Sequence, residues 1–255
     1  MTTIPNEAPL KYNIGNSIII GSLLGDGSIE RSGTHGKGRW LFAESHTEKQ
    51  KEYIEWKARL IPDSRIELLN RSFGKVYRLR TKPDEIYLKL RNEWYPNGRK
   101  IIPKSLMNTM DETVLAVWYM DDGDKPGGRK MKYLDGNSIR NNARIATAGF
   151  SYKENLFLRR ILHKRFGIQP EVKKDGEYYR LYFKSKDRSF DGLMETIKKA
   201  KIELPNCMRY KIGERVESRR GITQRIILSK GLIDRDNGKF VSKRCTPINM
   251  ANANI

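Results

Sequence analysis

The chain has 255 residues, with 50 Lys and Arg against 30 Asp and Glu, a formal net charge of +20. That length holds one large domain or two fused small ones, and the charge points to a polyanionic partner. Its longest apolar run, 18–24, is interrupted by Gly21 and Ser22 and falls far short of the ~20 residues of a membrane span. With two cysteines (Cys207 and Cys245) and three scattered histidines (His35, His46 and His163), a disulfide framework, a zinc site and a His-centred nuclease all lose support.

In chain order, residues 1–13 read as an irregular leader, with neither a basic stretch before an apolar one nor an Arg-rich composition, so no import signal is expected. Asn16 or Ser17 is placed to cap a helix through 18–24 that stops at Gly25-Asp26-Gly27. Two extended runs follow over 28–46, then a helix over 46–61, a hairpin over 64–81, and a helix over 83–95 opened by Pro83. The order then recurs. Asp111 or Thr113 caps a helix through 114–120, extended stretches occupy 129–135 and 142–150, and a helix spans 151–167 with a Gly stop. A hairpin turning at Asp175-Gly176 and a helix over 189–202 complete the second pass.

Each repeat opens alike, with IIIGSLLGDGSI at 18–29 and VLAVWYMDDGDK at 114–125. Both are apolar helices ending in an acid followed by Gly, with Asp26 and Asp122 in the same place. Gly21 and Gly25 lie on one helix face and permit close approach of another helix. A helix C-terminus carries partial negative charge and disfavours Asp. A bound divalent cation accounts for two such carboxylates, because hard cations take oxygen ligands and nearby carbonyls add more. The alternative is a pair of surface Asp-Gly turns. The positive charge is spread along the chain and interleaved with aromatics, as at 75–82 and 177–186, which suits a long contact along a nucleic-acid backbone.

The two acidic segments resemble the paired motifs of the LAGLIDADG homing endonucleases, in the monomeric branch encoded by mobile introns. Ile19–Gly27 and Leu115–Gly123 align with the nine-letter motif, and the resemblance covers residues 14–215. KIIP at 100–103 and MRYKI at 208–212 match family segments with a functional lysine, which nominates Lys100 and Lys211. The second motif departs from the first, having Val117 and Asp121 where the first has Gly21 and Gly25.

The resemblance implies an α+β fold of duplicated αββαββα halves with pseudo-twofold symmetry, and two curved antiparallel sheets forming a DNA-binding saddle. The halves would be 1–96 and 112–213, joined by a linker at 97–111 and followed by a basic extension at 214–255. It implies a site-specific endonuclease that makes staggered cuts in double-stranded DNA and promotes intron mobility. The implied cofactor is Mg²⁺, with Mn²⁺ as a substitute, held by Asp26 and Asp122 with Gly25 and Asp121 beside them. Lys100 and Lys211 would polarise water or stabilise the phosphate. The enzyme would act as a monomer inside the cell, in a bacterial cytoplasm or an organelle, with no protein partner and no membrane. An RNA-binding intron maturase and a non-cleaving DNA-binding protein on the same scaffold are the rival expectations.

Alternation along strands divides the sheet residues. Tyr179, Leu181 and Phe183 share one parity, and Tyr178, Arg180, Tyr182 and Lys184 the other. Arg78 and Arg80 oppose Tyr77 and Leu79, and Lys130 and Lys132 oppose Met131 and Tyr133. The polar and basic set in each case is expected to face DNA, through bases or phosphates.

Overall fold

The computed structural model describes residues 13–33, 38–124 and 142–212. These lie in the first of two units of the chain, 1–216 and 217–255. Helix α1 (Ile14–Leu24) starts earlier than the sequence suggests. Asn13, not Asn16 or Ser17, is its cap, and its side chain accepts from the Gly15 N–H at 2.9 Å. Ser17 lies inside the helix and donates instead to Asp111 Oδ2 at 2.7 Å.

Strands β1 (Ser28–Arg31) and β2 (Trp40–Thr47), helix α2 (Lys51–Leu60), strands β3 (Ser64–Arg71) and β4 (Gly74–Thr81), and helix α3 (Glu85–Trp94) complete the first half. Pro83 does not open α3. Asp84 caps it by accepting from the Ile86 N–H, and Pro83 lies just outside. The four strands form an antiparallel sheet of order β1-β2-β4-β3. A short helix, α4 (Leu106–Thr109), lies in the connection to α5 (Glu112–Asp122), which Asp111 caps through the Val114 N–H at 2.7 Å.

The second half continues with β5 (Asn142–Ala146), α6 (Tyr152–Phe166), β6 (Glu171–Asp175), β7 (Tyr178–Lys184), α7 (Ser189–Lys199) and a 3-10 turn, Asn206–Ile212. Ser151 and Glu154 form a capping box for α6, and Gly167 ends it in the left-handed region at φ 72°. The second sheet has the order β5-β7-β6. The expected strand over 129–135, with Lys130 and Lys132, lies outside the described residues. Among the described residues, no helix is long and apolar enough to cross a membrane.

The helices α1 and α5 are apolar on nearly every side because they pair with each other inside the core. Ile18, Leu23, Val114, Leu115, Val117 and Trp118 are all fully buried, each worth about 1.5–3 kcal/mol for a side chain of Val, Leu or Ile size. Each sheet turns one face to this core. Phe42 and Leu79 do so in the first sheet, and Ile145, Leu181 and Phe183 in the second.

Sheet register fixes which residues correspond. Gly123 bridges Ile145, which pairs with Leu181. In the first half Ser28 lies opposite Ala43, so Gly27 falls opposite Glu44, which pairs with Leu79. Glu44 therefore corresponds to Ile145. Two residues on, His46 corresponds to Thr147. The same count further along brings Lys57 of α2 opposite Leu158 of α6 in this correspondence.

Candidate active site

The paired helices deliver Asp26 and Asp122 to one end of the α1–α5 seam. The Asp26 side chain is 44% exposed. Asp122 is largely enclosed, and its carboxyl is pushed up to about 7, first by burial and then by the charges of Asp121 and Asp26. Beside it opens a cavity of about 230 Å³ lined in part by Lys100, Thr147 and Ala148.

The two nominated lysines meet the helix ends in matching ways. Lys100 Nζ donates to Gly25 O at 3.2 Å and Gly27 O at 2.8 Å. Lys211 Nζ donates to Met120 O at 2.5 Å and Asp121 O at 3.0 Å. Each lysine thus satisfies carbonyls that the helix terminus leaves open and sits at the negative end of its dipole. Burial pushes both ammonium groups down from their ordinary value, against the opposing pull of the carboxylates around them.

Asp121 turns its side chain away from Asp122 and into the first half. Its carboxylate accepts from Tyr53 Oη at 2.7 Å and Lys57 Nζ at 2.9 Å, and the Asp26 N–H reaches it at 3.4 Å. Lys57, fully buried, also donates to Ser22 Oγ at 2.7 Å and Glu44 Oε1 at 2.5 Å, so all three of its protons are used. Burial opposes the charge on Lys57, but Asp121 and Glu44 outweigh it and hold its pKa up. They fare differently themselves. Burial raises Glu44, yet Lys57 and His46 together bring it down overall; Asp121 is raised by burial, and the charges of Glu44 and Asp26 offset much of what Lys57 returns.

Asp26, Glu44, His46 and Asp121 bring ligand atoms within 4.8 Å of one another. Lys57 already supplies a cation inside this group, so the cluster as a whole is not a metal cage. Asp26 and Asp122 offer carboxylate oxygens of the kind a hard divalent cation takes, with Lys100 and Lys211 as the neighbouring positive charges. The carbonyls of Gly25 and Asp121 stand beside them.

Sequence reasoning missed Glu44, Tyr53 and Lys57. The signals were a glutamate inside the apolar strand WLFAESH and a lysine one turn from Tyr53 on the buried stripe of α2.

Among the described residues, the strand residues expected to meet DNA share the open faces of the two sheets, and Arg78, Arg80, Arg180 and Lys184 each have an acidic neighbour. Arg78 pairs with Glu30, Arg80 approaches Glu67 at 3.6 Å, Arg180 pairs with Asp175 at 2.9 Å, and Lys184 pairs with Glu171. Tyr178 is 54% exposed at the β6–β7 turn. Tyr182 lies under the Arg144 guanidinium and the Lys173 ammonium, at 5.9 and 5.5 Å.

Residues 16–190 match the model of the LAGLIDADG DNA endonuclease family. The chain is 28% identical over 210 residues to the cytochrome b mRNA maturase bI2 of Debaryomyces hansenii, covering 77% of this chain and 72% of that protein. It is 31% identical over 187 residues to the maturase bI2 of Saccharomyces cerevisiae, covering 66% of this chain but 40% of the yeast protein's length. Among solved structures, the homing endonuclease I-WcaI bound to its DNA recognition sequence superposes with a TM-score of 0.61 at 23% identity, covering 83% of this chain and 95% of that one. I-SmaMI bound to an uncleaved DNA target with calcium ions gives 0.51 at 11% identity, covering 78% and 88%. These similarities establish the fold.

Proposed function

The chain belongs to the LAGLIDADG DNA endonuclease family, and from that premise we propose that it is a site-specific nuclease cutting both strands of duplex DNA. The observation that carries this is the pair of intact acids, Asp26 and Asp122, each beside a carbonyl gripped by its own lysine. Two motif helices in one chain make a monomer sufficient, with halves at 1–96 and 112–213 around the connection at 97–111.

In this mechanism the open sheet faces follow the duplex, with Arg78, Arg80, Arg180 and Lys184 exchanging their acidic partners for phosphates. Asp26 and Asp122 would hold Mg²⁺, or Mn²⁺ in its place, which supplies an activated water and charge stabilisation at the phosphate. Lys100 and Lys211 direct positive charge at the developing negative charge while their carbonyl bonds keep them in place. The partly buried ammonium groups lose little further hydration when DNA covers them.

A second role, RNA binding as an intron maturase, is favoured by the two yeast relatives. One experiment separates the two. The protein is incubated with Mg²⁺ and the intronless form of the gene that carries its reading frame, and in parallel with the intron transcript. Cleavage that is lost in Asp26→Asn and in Asp122→Asn, with DNA affinity kept within about tenfold (roughly 1.4 kcal/mol), supports the nuclease. Splicing assistance without any cleavage would replace it with the maturase.

A further inference from the structure

The two acids do not have the same neighbours. His46 stands beside Asp26, with Nδ1 4.0 Å from Asp26 Oδ2. Three contacts fix its ring. Nε2 meets Glu44 Oε1, Nδ1 lies 3.1 Å from Gln50 Oε1, and the ring packs edge-on to Tyr53 with centroids 5.3 Å apart. His46 and Glu44 are 4% and 2% exposed, sealed on the core side of β2.

The corresponding place in the second half holds Thr147. Its hydroxyl is turned to Asn155 Oδ1 at 2.5 Å and Tyr179 O at 2.9 Å. In place of Glu44 and Lys57 stand Ile145 and Leu158, both fully buried. The scaffold therefore closes its second half with apolar side chains at the positions where the first half carries buried charge. Lys57 answers the buried Asp121 carboxylate, for which the other half has Gly25; Glu44 meets both Lys57 and the His46 ring.

The difference also matches what each acid lacks. Asp122 lines a cavity with Lys100 and the β5–α6 connection. Asp26 is the more open of the two, and the His46 ring is the wall on its β2 side. We propose that His46, oriented by Glu44, is a positioning residue for Asp26 alone, and that the two half-sites cut their strands by unequal means. This rests on the two-centre nuclease function above. The strand served by Asp26 depends on His46; the strand served by Asp122 does not.

The test is single-turnover cleavage at saturating protein, with the two DNA strands labelled separately. Wild type is compared with His46→Ala and His46→Gln, after thermal melting shows that all three are folded. His46→Ala should slow one strand at least tenfold and leave the other within about twofold, so nicked DNA accumulates. His46→Gln, which keeps a polar group facing Glu44, should restore most of the lost rate. Equal slowing of both strands, or of neither, overturns the proposal.

Calorimetric titration of the DNA complex with Mn²⁺ gives an answer that does not depend on turnover. His46→Ala should weaken Mn²⁺ binding several-fold in an Asp122→Asn background, where the Asp26 site remains, and leave it unchanged in an Asp26→Asn background. Equal effects in both backgrounds overturn the role of His46. Wild type that cuts neither strand would instead overturn the nuclease function, leaving the titration to decide whether His46 serves Asp26.

Discussion

Gly25, at the C-terminal cap of α1, packs directly against Asp121 of α5, so that a Cβ at position 25 would lie 2.5 Å from the Asp121 Cβ. The two residues occupy equivalent places in the two motifs and meet across the helix seam. Gly21 and Val117 repeat the arrangement one turn earlier, at 2.7 Å. The bulk of the second motif thus fills the space left by the glycines of the first. Val117 and Asp121, departures when each motif is read alone, are complements when the helices are paired.

Gly25→Ala is therefore expected to be disruptive. Asp121 has no freedom to move aside, being tied to Tyr53 and Lys57. Overpacking of this kind costs about 1–3 kcal/mol, or roughly 2–4 °C of melting temperature per kcal/mol for a chain of this size. Asp121→Gly should relieve the clash, so the double variant should lose less than the sum of the single ones. Additive losses in a denaturant titration would contradict direct contact as the cause.

Removing Lys57 should cost more. Lys57→Leu leaves Glu44 and Asp121 buried without their cation, a loss of about 3–5 kcal/mol. Adding Glu44→Ile copies the Ile145 and Leu158 pair of the other half and should recover part of it. The check is the denaturant midpoint of each variant at constant slope. A double variant no more stable than Lys57→Leu would show that the two halves are not interchangeable at this site.

The path from sequence to site was clear in some places and closed in others. Both motif helices were legible, and so was the placing of the two acids and two lysines at the helix ends, because helix ends, apolar runs and short motifs are local. The parity of β4 and β7 was legible too, since alternation needs no knowledge of the partner strand. The Glu44–Lys57–Asp121 group was not. Its members come from a strand and two helices that meet only after the halves pack, and a lone lysine on a helix reads as solvated until that helix is docked. The first cap was misplaced for a similar reason. Asn13, Asn16 and Ser17 all have capping chemistry, and Ser17 is instead engaged by Asp111, the cap of α5.

The metal-free protein should lose stability as pH rises from about 4 towards 7. Asp122 has a folded pKa of about 7, raised by burial and by Asp121 and Asp26, against an ordinary value of 3.8. The unfolded chain releases that proton first, so the folded state is favoured at low pH and gives up roughly 4 kcal/mol at most, at about 1.4 kcal/mol per unit. Glu44 works in the opposite sense and lower down, because its folded pKa is depressed. Its contribution is present above its ordinary value and fades as pH falls below it. Melting curves in EDTA should show the decline, and Asp122→Asn should reduce it to the part that Asp121, raised by burial to about 6, contributes lower down. A profile that the substitution leaves unaltered would mean that Asp122 ionises as freely in the fold as outside it.

Lys100→Met and Lys211→Met should each slow cleavage more than they weaken DNA binding. Both ammonium groups are partly buried at the helix ends rather than on the open sheet faces. Losing one removes charge where the phosphate reacts, while the sheet contacts that set affinity persist. Single-turnover rates and equilibrium titrations on the same DNA make the comparison. Matching losses in rate and affinity would reduce both lysines to phosphate anchors.

Glu67→Gln should strengthen DNA binding. Glu67 is the acidic neighbour of Arg65 at 3.0 Å and of Arg80 at 3.6 Å on the open face of the first sheet. In the free protein these contacts compete with phosphate for the same guanidinium groups. Exposed pairs contribute about 0.2–1 kcal/mol, so releasing one corresponds to an affinity gain of up to roughly fivefold. If the freed arginines also take up a new phosphate contact, the log–log salt slope steepens by about 0.9. Anisotropy titrations at several salt concentrations measure both quantities. The gain should appear on non-target DNA as well, because phosphate contacts carry no sequence information. A gain confined to one target would instead assign Arg65 or Arg80 to a base edge, and no gain on any DNA would remove that corner of the sheet from the interface.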